Sequence, residues 1–275
     1  MRTRPRILMC PPDYYGVHYE INVWMDTRRQ SDHPTAVQQW SDLQDLLTAA
    51  GAKIELLDPV DGLPDLVFTA NAALIYERRA LLSRFRHEQR KGEEQYDAEW
   101  LRKEGFTVGL LPDGHFFEGA GDALFCGDTL FAGYRMRSDA PSHQLVGELL
   151  GHRVIPLELV DPYYYHLDTC FCPLAHGIAA YFPGAFDDYG LQALAEHLET
   201  LIEVDEEEAK SFACNAVVVG STVTTNMGCP HFHDALRQHG FRPQATPLSE
   251  FVKAGGSAKC LTLRLDGEDA ASWRM

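Results

Sequence analysis

The sequence lacks long hydrophobic runs, and this absence excludes a membrane-spanning protein. A transmembrane helix needs about 20 consecutive apolar residues, and no stretch of this chain approaches that length. The N-terminal stretch 1–6 is basic, but the apolar run Ile7–Met9 that follows is too short for the core of a signal peptide. We therefore expect no membrane partner and a cytoplasmic location.

Positive charge is also scarce. The 275 residues include 24 Lys and Arg against 40 Asp and Glu, so the formal net charge is −16 at pH 7. Proteins that bind nucleic acid neutralise phosphates with clusters of Lys and Arg, so nucleic acid is not an expected partner. An acidic chain suits a small cationic substrate better, although most of its acids are expected to face solvent.

Cysteine is present without the spacing of a disulfide framework. The chain has seven cysteines, an odd and irregularly spaced set, which is typical of a protein from a reducing compartment. The stretch Cys229–His233 has residue types that bind metals, but no second half with ligand spacing accompanies it. Cys170 and Cys172 alternate along a predicted strand and are interpreted as packing residues. We expect neither a metal nor another cofactor.

What the sequence does contain is a repeat. A polar residue, a small residue and an apolar strand recur five times at intervals of about 44–51 residues. The polar heads of these copies are Asn71, Asp122, Asp168, Asn215 and Lys259, the last being followed by Cys260. Helical patterns are predicted at 34–50, 88–104, 142–150, 188–202 and 231–240.

A period of this length indicates one supersecondary unit repeated along the chain. We predict an α/β fold with five ββαβ-type units in a closed ring, a five-bladed α/β propeller that forms a single domain over residues 1–275. The heads of all five copies then converge on one central cavity. Asp122 and Asn215 either face that cavity or satisfy the backbone at the start of a blade.

Cys260 is the candidate nucleophile. It follows the flexible pair Gly255-Gly256 and Lys259, and it opens an apolar run, 261–265, that is predicted to be a buried strand. The alternative is a buried packing residue, because free cysteine is among the most buried residue types. The predicted ring favours the nucleophile, since it brings Cys260 together with His166 and several carboxylates. Lys259 itself is expected to face solvent, and 205–208 is expected to form a solvated acidic turn.

Three motifs carry a resemblance to a known family. The segments 117–122 (Phe-Glu-Gly-Ala-Gly-Asp), 166–168 (His-Leu-Asp) and 255–260 (Gly-Gly-Ser-Ala-Lys-Cys) resemble the guanidine-modifying superfamily. That superfamily contains arginine deiminases, dimethylarginine hydrolases and arginine amidinotransferases, and its fold is a five-bladed α/β propeller. The resemblance covers essentially the whole chain.

The resemblance implies roles for individual residues. Cys260 would be the nucleophile, His166 the general acid and base, and Glu118 the residue that orients the histidine. The substrate-binding set would contain Asp168 for the guanidinium, Arg137 and Arg90 for the carboxylate, Asp65 for the α-amino end, Asn71 and Asn22. Asn22 and His18 belong to an aromatic loop, 14–24, which is either a lid over the pocket or a packed surface loop.

Asn71 departs from the pattern of deiminases and dimethylarginine hydrolases, which carry an aspartate at this position. The segment 68–72 (Phe-Thr-Ala-Asn-Ala) is similar to that of arginine dihydrolases. The expected activity is hydrolysis of arginine, through a covalent thiouronium on cysteine, to ornithine, ammonia and carbon dioxide. The alternatives are one-step hydrolysis to citrulline, amidino transfer to an amine, and a catalytically silent propeller that only binds. The expected partner is arginine or a related guanidino compound, and a homo-oligomer is left open.

Overall fold

The computed structural model describes residues 4–267, which form five small sheets of three strands each. The strands are β1 (Arg6–Met9), β2 (Lys53–Leu56), β3 (Ala73–Tyr76), β4 (Arg79–Leu82), β5 (Thr107–Gly109), β6 (Ala123–Cys126), β7 (Thr129–Tyr134), β8 (Val154–Glu158), β9 (Phe171–Ala175), β10 (Ile178–Tyr181), β11 (Thr200–Glu203), β12 (Val217–Val219), β13 (Thr222–Asn226), β14 (Arg242–Thr246) and β15 (Leu263–Arg264).

Helices connect the strands. They are α1 (His33–Ala49), α2 (Glu88–Lys91), α3 (Glu93–Lys103), α4 (Gly119–Asp122), α5 (Ala140–Leu150), α6 (Asp188–His197), α7 (Glu206–Lys210), α8 (Pro230–Gln238) and α9 (Ser249–Val252). None of these helices, within residues 4–267, is long and apolar enough to cross a bilayer.

Every sheet repeats one topology. The first strand pairs antiparallel with the second, and the second pairs parallel with the third, as in β3-β4-β5. A parallel neighbour requires a crossover connection, and a helical segment supplies it between the second and third strands. The unit is therefore ββαβ, and the predicted five-bladed α/β propeller is confirmed.

The ring closes in the sheet β15-β1-β2. Ile7 pairs with Arg264 and Leu8 with Leu263, so a late strand of the chain lies against an early one. In the other four sheets a two-residue turn joins the first and second strands, at 77–78, 127–128, 176–177 and 220–221.

The blades pack side by side through apolar side chains. The largest hydrophobic cluster runs from Phe131 through Phe171 to Phe232 and so joins three neighbouring blades. The rings of Phe131 and Phe171 lie 5.2 Å apart across one of these boundaries. Full burial of such a side chain stabilises the fold by roughly 1.5–3 kcal/mol, so the boundaries hold the ring together.

Several predicted element boundaries were wrong. The helix predicted over 188–202 ends at His197, and Thr200–Glu203 forms β11, because the sheet requires a third strand parallel to β10. The helix predicted over 88–104 divides into α2 and α3 at Gly92. The strand predicted over 261–265 is limited to Leu263–Arg264, because backbone hydrogen bonds keep 257–262 in turns.

The segment 205–208 begins a helix instead of forming a turn, and its first three residues are exposed as expected while Glu208 is buried. Asp205 caps α7 by accepting a hydrogen bond from the Glu208 N–H. The Glu208 carboxylate is buried and accepts from the N–H groups of His231 and Phe232, at the start of α8. His231 Nδ1 lies 3.1 Å from Asp205 Oδ2. These acids therefore join two helices, which is a stabilising use of carboxylates at helix N-termini.

Candidate active site

We take Cys260, which follows Lys259, as the head of the fifth blade, and the five heads then lie at equivalent places in the blades. Each stands in or just after a short helical turn that leads into the first strand of its sheet. Their side chains are buried: Asn71, Asp122, Asp168, Asn215 and Cys260 are all at most 2% exposed. Because the turn precedes the strand in every blade, the ring directs all five heads toward its axis.

Hydrogen bonds join neighbouring heads around the axis. The contacts are Asn71 Nδ2 to Glu118 O (3.3 Å), Leu167 N to Asp122 Oδ1 (3.1 Å), Lys259 N to Asn215 Oδ1 (3.0 Å) and Ala70 N to Cys260 O (3.1 Å). Each contact crosses from one blade to the next. The heads therefore tie the blades together as well as lining the centre.

The cavity at the axis contains most of the predicted site residues. It is lined by Ile21, Asn22, Met25, Asp65, Phe68, Asn71, Arg90, Arg137, Tyr165, Ala254 and Cys260. The other predicted residues, Glu118, His166 and Asp168, are buried and do not line the cavity. Glu118 and Asp168 hydrogen bond to the lining residues Arg137 and Cys260, and His166 hydrogen bonds to Glu118. The cavity encloses about 10 Å³, room for about one water molecule, so an occupant the size of arginine requires the wall to move.

The thiol of Cys260 is near the side chains of Asp168 and Asn215 and the backbone N–H of Ser257. Its Sγ lies 3.5 Å from Oδ2 of Asp168 and accepts a hydrogen bond of 3.1 Å from Nδ2 of Asn215. Burial, together with the negative charge of Asp168, raises the pKa of Cys260 well above its ordinary value. A cation that entered beside Asp168 would oppose this shift and favour the reactive thiolate.

Glu118 is the hub of a second cluster. Its Oε2 lies 2.7 Å from His166 Nε2 and 3.0 Å from Arg137 Nη1, and its Oε1 accepts from the Arg86 N–H. Burial favours the neutral acid, but the charge of Arg137 and the contact with His166 overcome it and hold the pKa of Glu118 well below its ordinary value. The carboxylate is therefore ionised and fixes one side of the His166 ring.

Arg137 also forms part of the cavity wall. Its guanidinium carbon lies 4.6 Å from the centre of the Tyr165 ring, and its Nη2 donates to the carbonyl of Ile21 in the aromatic loop. The hydroxyl of Tyr165 donates to the carbonyl of Gly255. Arg137 thus connects the acid–base cluster to the loop over the cavity.

Arg90 binds three groups on the opposite side. It makes a two-point ion pair with Glu93 (2.9 and 2.7 Å), donates to Oδ1 of Asn71 (2.8 Å) and donates to the carbonyl of Asp65 (3.2 Å). Burial raises the pKa of Glu93 to about 7 and also raises the pKa of Asp65. Arg90 orients the carbonyl end of Asn71, so the amide NH₂ faces Glu118.

Asn22 ties the aromatic loop to the glycine-rich segment. Its Nδ2 donates to the carbonyl of Ala254 at 3.0 Å, and its Oδ1 accepts from the N–H groups of Trp24 and Met25. The side chain that lines the cavity is therefore also a support for the loop. Contact of Asn22 with substrate stays a prediction, as does the motion of the loop.

Two positions require glycine because neighbouring side chains lie too close to the backbone for a larger residue. A Cβ atom on Gly121 would lie 2.1 Å from Nδ2 of Asn71, so any larger residue would displace the asparagine. Gly255 has φ +82°, and a Cβ there would lie 3.0 Å from Oδ1 of Asn22 and from the Tyr165 hydroxyl. The glycines of both motifs therefore make room for site side chains.

Two residues differ from expectation. Lys259 does not face solvent, because only 8% of it is exposed. Asn215 was left open between structure and site, and its amide touches the sulfur of Cys260. Its position as the fourth repeat head was the sequence signal that could have identified it, since every other head in the ring points to the same centre.

Comparison with known proteins gives matches over nearly the whole chain. The sequence profile described as "N,N dimethylarginine dimethylhydrolase, eukaryotic" matches residues 18–265. The bifunctional arginine dihydrolase/ornithine cyclodeaminase ArgZ of Synechocystis sp. is 46% identical over 265 residues, which cover 94% of this chain and 37% of ArgZ. The N(G),N(G)-dimethylarginine dimethylaminohydrolase of Mycobacterium tuberculosis is 38% identical over 264 residues, covering 96% of this chain and 86% of that enzyme.

Crystal structures of the N-terminal domain of ArgZ, an arginine dihydrolase from cyanobacteria, have the same fold. A mutant bound to substrate superposes with a TM-score of 0.93 at 45% identity, covering 96% of this chain and 98% of that domain. A second, with a TM-score of 0.92 at 45% identity, covering 95% and 97%, is covalently bound to a reaction intermediate. In it, serine replaces an asparagine that has the same residue number as Asn71.

The chain spans only 37% of the length of ArgZ but nearly all of the ArgZ N-terminal domain. The profile match covers most of the chain, and the mycobacterial relative matches over most of its own length. The chain therefore belongs to the N,N-dimethylarginine dimethylhydrolase family, within the guanidine-modifying superfamily.

Proposed function

We propose that the protein is a hydrolase that takes arginine and two water molecules to ornithine, two ammonia and carbon dioxide. The observation that carries this proposal is the cavity itself, in which Cys260 faces the axis with Asp168, beside the Glu118–His166 pair and with Asn71 in the wall. The dihydrolase activity named for ArgZ supports it, because the match is to the N-terminal domain that carries that name.

The first chemical step is attack by Cys260. The guanidinium carbon is a weak electrophile because its charge is delocalised, so a thiolate is required. Asp168 binds the guanidinium, and the positive charge of the substrate then favours ionisation of the neighbouring thiol. A bond forms between Sγ and the guanidinium carbon, the carbon becomes tetrahedral, and one C–N bond breaks.

His166 transfers a proton both when ammonia leaves and when water attacks. It gives a proton to the departing nitrogen, so that ammonia leaves and an S-alkylthiouronium remains on Cys260. It then takes a proton from water, which attacks the same carbon and releases citrulline as the C–S bond breaks. Glu118, ionised and 2.7 Å from Nε2, orients the ring and stabilises its protonated form.

Charged groups at the two ends of the cavity hold the amino-acid part. Asp65 is buried in the lining and binds the α-ammonium group, and Arg137 and Arg90 provide positive charge for the α-carboxylate. Both arginines are paired with glutamates, Glu118 and Glu93. The substrate carboxylate therefore binds to guanidinium N–H groups that do not already donate to these glutamates.

Asn71 lets the ureido product react again. An aspartate at this position could only accept hydrogen bonds, whereas an asparagine can both donate and accept. The Asn71 amide can therefore hold a ureido group, whose carbonyl oxygen needs a donor. The thiolate attacks the ureido carbon, a second ammonia leaves, and hydrolysis of the resulting thiocarbamate gives ornithine and carbon dioxide.

Product analysis tests the proposal directly. The protein is incubated with arginine, and citrulline, ornithine, urea and ammonia are measured by mass spectrometry and ammonia assay. We expect ornithine with two ammonia per arginine and no urea. Cys260→Ser is the matched control, since it removes the nucleophile at nearly constant volume and should abolish turnover while the fold persists. Near-normal turnover by that variant would exclude the covalent mechanism.

The family profile favours a second candidate, one-step hydrolysis of dimethylarginine to citrulline. The chemistry is the same except that dimethylamine leaves in place of ammonia. The same assay with dimethylarginine separates the two. Citrulline and dimethylamine from dimethylarginine, with no ornithine from arginine, would replace the dihydrolase proposal with this one. Citrulline that accumulates from arginine would instead show a one-step deiminase.

A further inference from the structure

Asn215 occupies a special place in the ring. It is fully buried, and its side chain makes four hydrogen bonds. Its Oδ1 accepts from the N–H groups of Lys259 (3.0 Å) and Cys260 (3.2 Å), and its Nδ2 donates to the carbonyl of Asp168 (3.0 Å) and to Sγ of Cys260 (3.1 Å). Since two backbone donors fix the oxygen end, the NH₂ end must face the sulfur.

We propose that Asn215 is a further catalytic residue, whose amide N–H stabilises the thiolate of Cys260 and fixes the sulfur for attack. The inference rests on the proposed role of Cys260 as the nucleophile and adds to it the group that favours its ionised form. It assigns a chemical function to a residue that would otherwise be read as a structural link between two blades.

The surroundings of the sulfur show why a donor is needed. The sulfur is withdrawn from water, and the carboxylate of Asp168 lies 3.5 Å away, so both burial and charge act against a thiolate. The backbone N–H of Ser257 and the side-chain N–H of Asn215 act in the opposite direction, and Asn215 is the side chain among them. Its hydrogen bond is of the charge-assisted kind that grows stronger when the acceptor becomes an anion.

Comparison with another blade separates the structural role of Asn215 from its chemical role. Asp122 is the corresponding head two blades earlier, and its Oδ1 accepts from the N–H of Leu167 in the next blade, as Asn215 Oδ1 does from Lys259. A carboxylate is therefore sufficient to link blades in this ring. The amide at 215 adds a donor, and the donor faces the one head that is a thiol.

This comparison indicates the decisive variant. Asn215→Asp keeps the acceptor for the two backbone N–H groups but replaces the donor to sulfur with a negative oxygen. Asn226→Asp is the matched control. Asn226 also accepts from a backbone N–H (Leu248) and donates to a carbonyl (Ser211), but these contacts involve none of the residues that line the cavity. The two variants make the same chemical change in different places.

The readout is the pH dependence of Cys260 alkylation by iodoacetamide, followed by intact-protein mass spectrometry, with Cys260→Ser measuring background labelling of the other cysteines. We expect Asn215→Asp to move the midpoint upward by at least about one pH unit, which is roughly a tenfold loss of thiolate near neutral pH. The wild-type protein and Asn226→Asp should share one midpoint. Circular dichroism establishes that each variant is folded.

An unchanged midpoint in folded Asn215→Asp would overturn the proposal. If that variant does not fold, Asn215→Ala, which removes the donor without adding charge, takes its place and should also raise the midpoint. If neither folds, Asn215 is a folding residue and the proposal is overturned as well. Alkylation needs no turnover, so wild-type protein that leaves arginine unchanged would contradict the proposed function without affecting this result.

Discussion

Arg137 and Glu118 form a buried ion pair in which Nη1 of the arginine lies 3.0 Å from Oε2 of the glutamate. The same oxygen lies 2.7 Å from Nε2 of His166. Arg137 therefore affects His166, the proposed acid and base, through Glu118, in addition to any contact it makes with substrate. Assays of an Arg137 variant with two different substrates separate these effects.

Arg137→Ala should lower kcat/KM for arginine more than for agmatine, which lacks the carboxylate. Both substrates should lose activity because Glu118 loses its partner. The additional loss with arginine reports the carboxylate contact and should be roughly 10–100-fold, the value of a charge-assisted pair of about 1.5–3 kcal/mol.

Arg137→Lys is the matched control for that experiment. It keeps a positive charge near Glu118 but loses the planar fork that grips a carboxylate at two points. It should recover much of the agmatine activity and little of the arginine selectivity. Equal losses with both substrates, in both variants, would show that Arg137 does not contact the carboxylate, and Arg90 would be tested next.

His166→Ala should remove general acid and base catalysis from both halves of the reaction. The rate should fall by at least roughly 10²–10⁴, the usual contribution of a positioned proton donor and acceptor. Rapid-quench mass spectrometry should show whether a covalent adduct on Cys260 accumulates. Accumulation of an adduct would show that His166 acts mainly in the hydrolysis of the covalent intermediate. Unchanged turnover would show that His166 takes no part in the mechanism.

Stability should depend on pH through Glu118. Its pKa in the folded protein lies below the ordinary value of 4.5, because Arg137 and His166 outweigh the effect of burial. The stabilisation is therefore fully present above about pH 4.5 and is lost as pH falls toward the lower folded value. Glu118→Gln, which leaves Arg137 buried without its partner, should cost about 3–5 kcal/mol at pH 7.

The difference between wild type and Glu118→Gln should shrink as the pH falls below about 4.5, because Glu118 then takes up protons in the unfolded chain while it stays ionised in the folded protein. Denaturant unfolding from pH 7 to pH 3 measures it. Glu148→Gln, at an exposed position on α5, is the control and should follow wild type throughout. A gap that stays constant across this range would mean that Glu118 is not the ionised hub of the cluster.

Asn71→Asp should shift the products from ornithine toward citrulline. The aspartate keeps an acceptor for Arg90, but an oxygen would face the carbonyl of Glu118 where the amide now donates. It also loses the donor that a ureido oxygen needs, so citrulline should leave before the second attack. The ratio of products at matched turnover, measured by mass spectrometry, checks this.

The first ammonia should still be released by Asn71→Asp, since a carboxylate binds a guanidinium well. Asn226→Asp, which makes the same change away from the cavity, should give wild-type products. If wild type itself stops at citrulline, the dihydrolase proposal is wrong. If Asn71→Asp still makes only ornithine, another part of the cavity controls the second step.

The repeat could be recognised in the sequence because the same elements occur in the same order in each blade. A polar head, a buried strand, a turn and a helix recur at similar intervals, so the ring and its converging heads could be predicted. The residues at which helices and strands end could not be predicted. Residues 198–202 were predicted to continue a helix, and only pairing with β10 makes Thr200–Glu203 a strand.

Contacts between distant charges were also beyond the sequence. Arg137 was predicted to bind a carboxylate, but nothing in the chain order reveals that Glu118 already pairs with it. The pair Arg90–Glu93 differs, because its spacing of three residues on a predicted helix could have been recognised in the sequence. The same holds for the amide of Asn215, which reaches a sulfur 45 positions away. The cytoplasmic location and the single domain over 1–275 stay predictions.

Cys260 lies in the blade whose first two strands have no turn between them. In the other blades a strand that detaches remains tethered to its partner by two residues and is recaptured at high effective concentration. β15 pairs with β1 through two residues and one further backbone bond, Leu265 N to Arg6 O, with nearly the whole chain between them. Fraying is easiest where such tethers are missing. Mild heating should therefore inactivate the enzyme before the remaining blades melt, so that thermal inactivation precedes the loss of secondary structure.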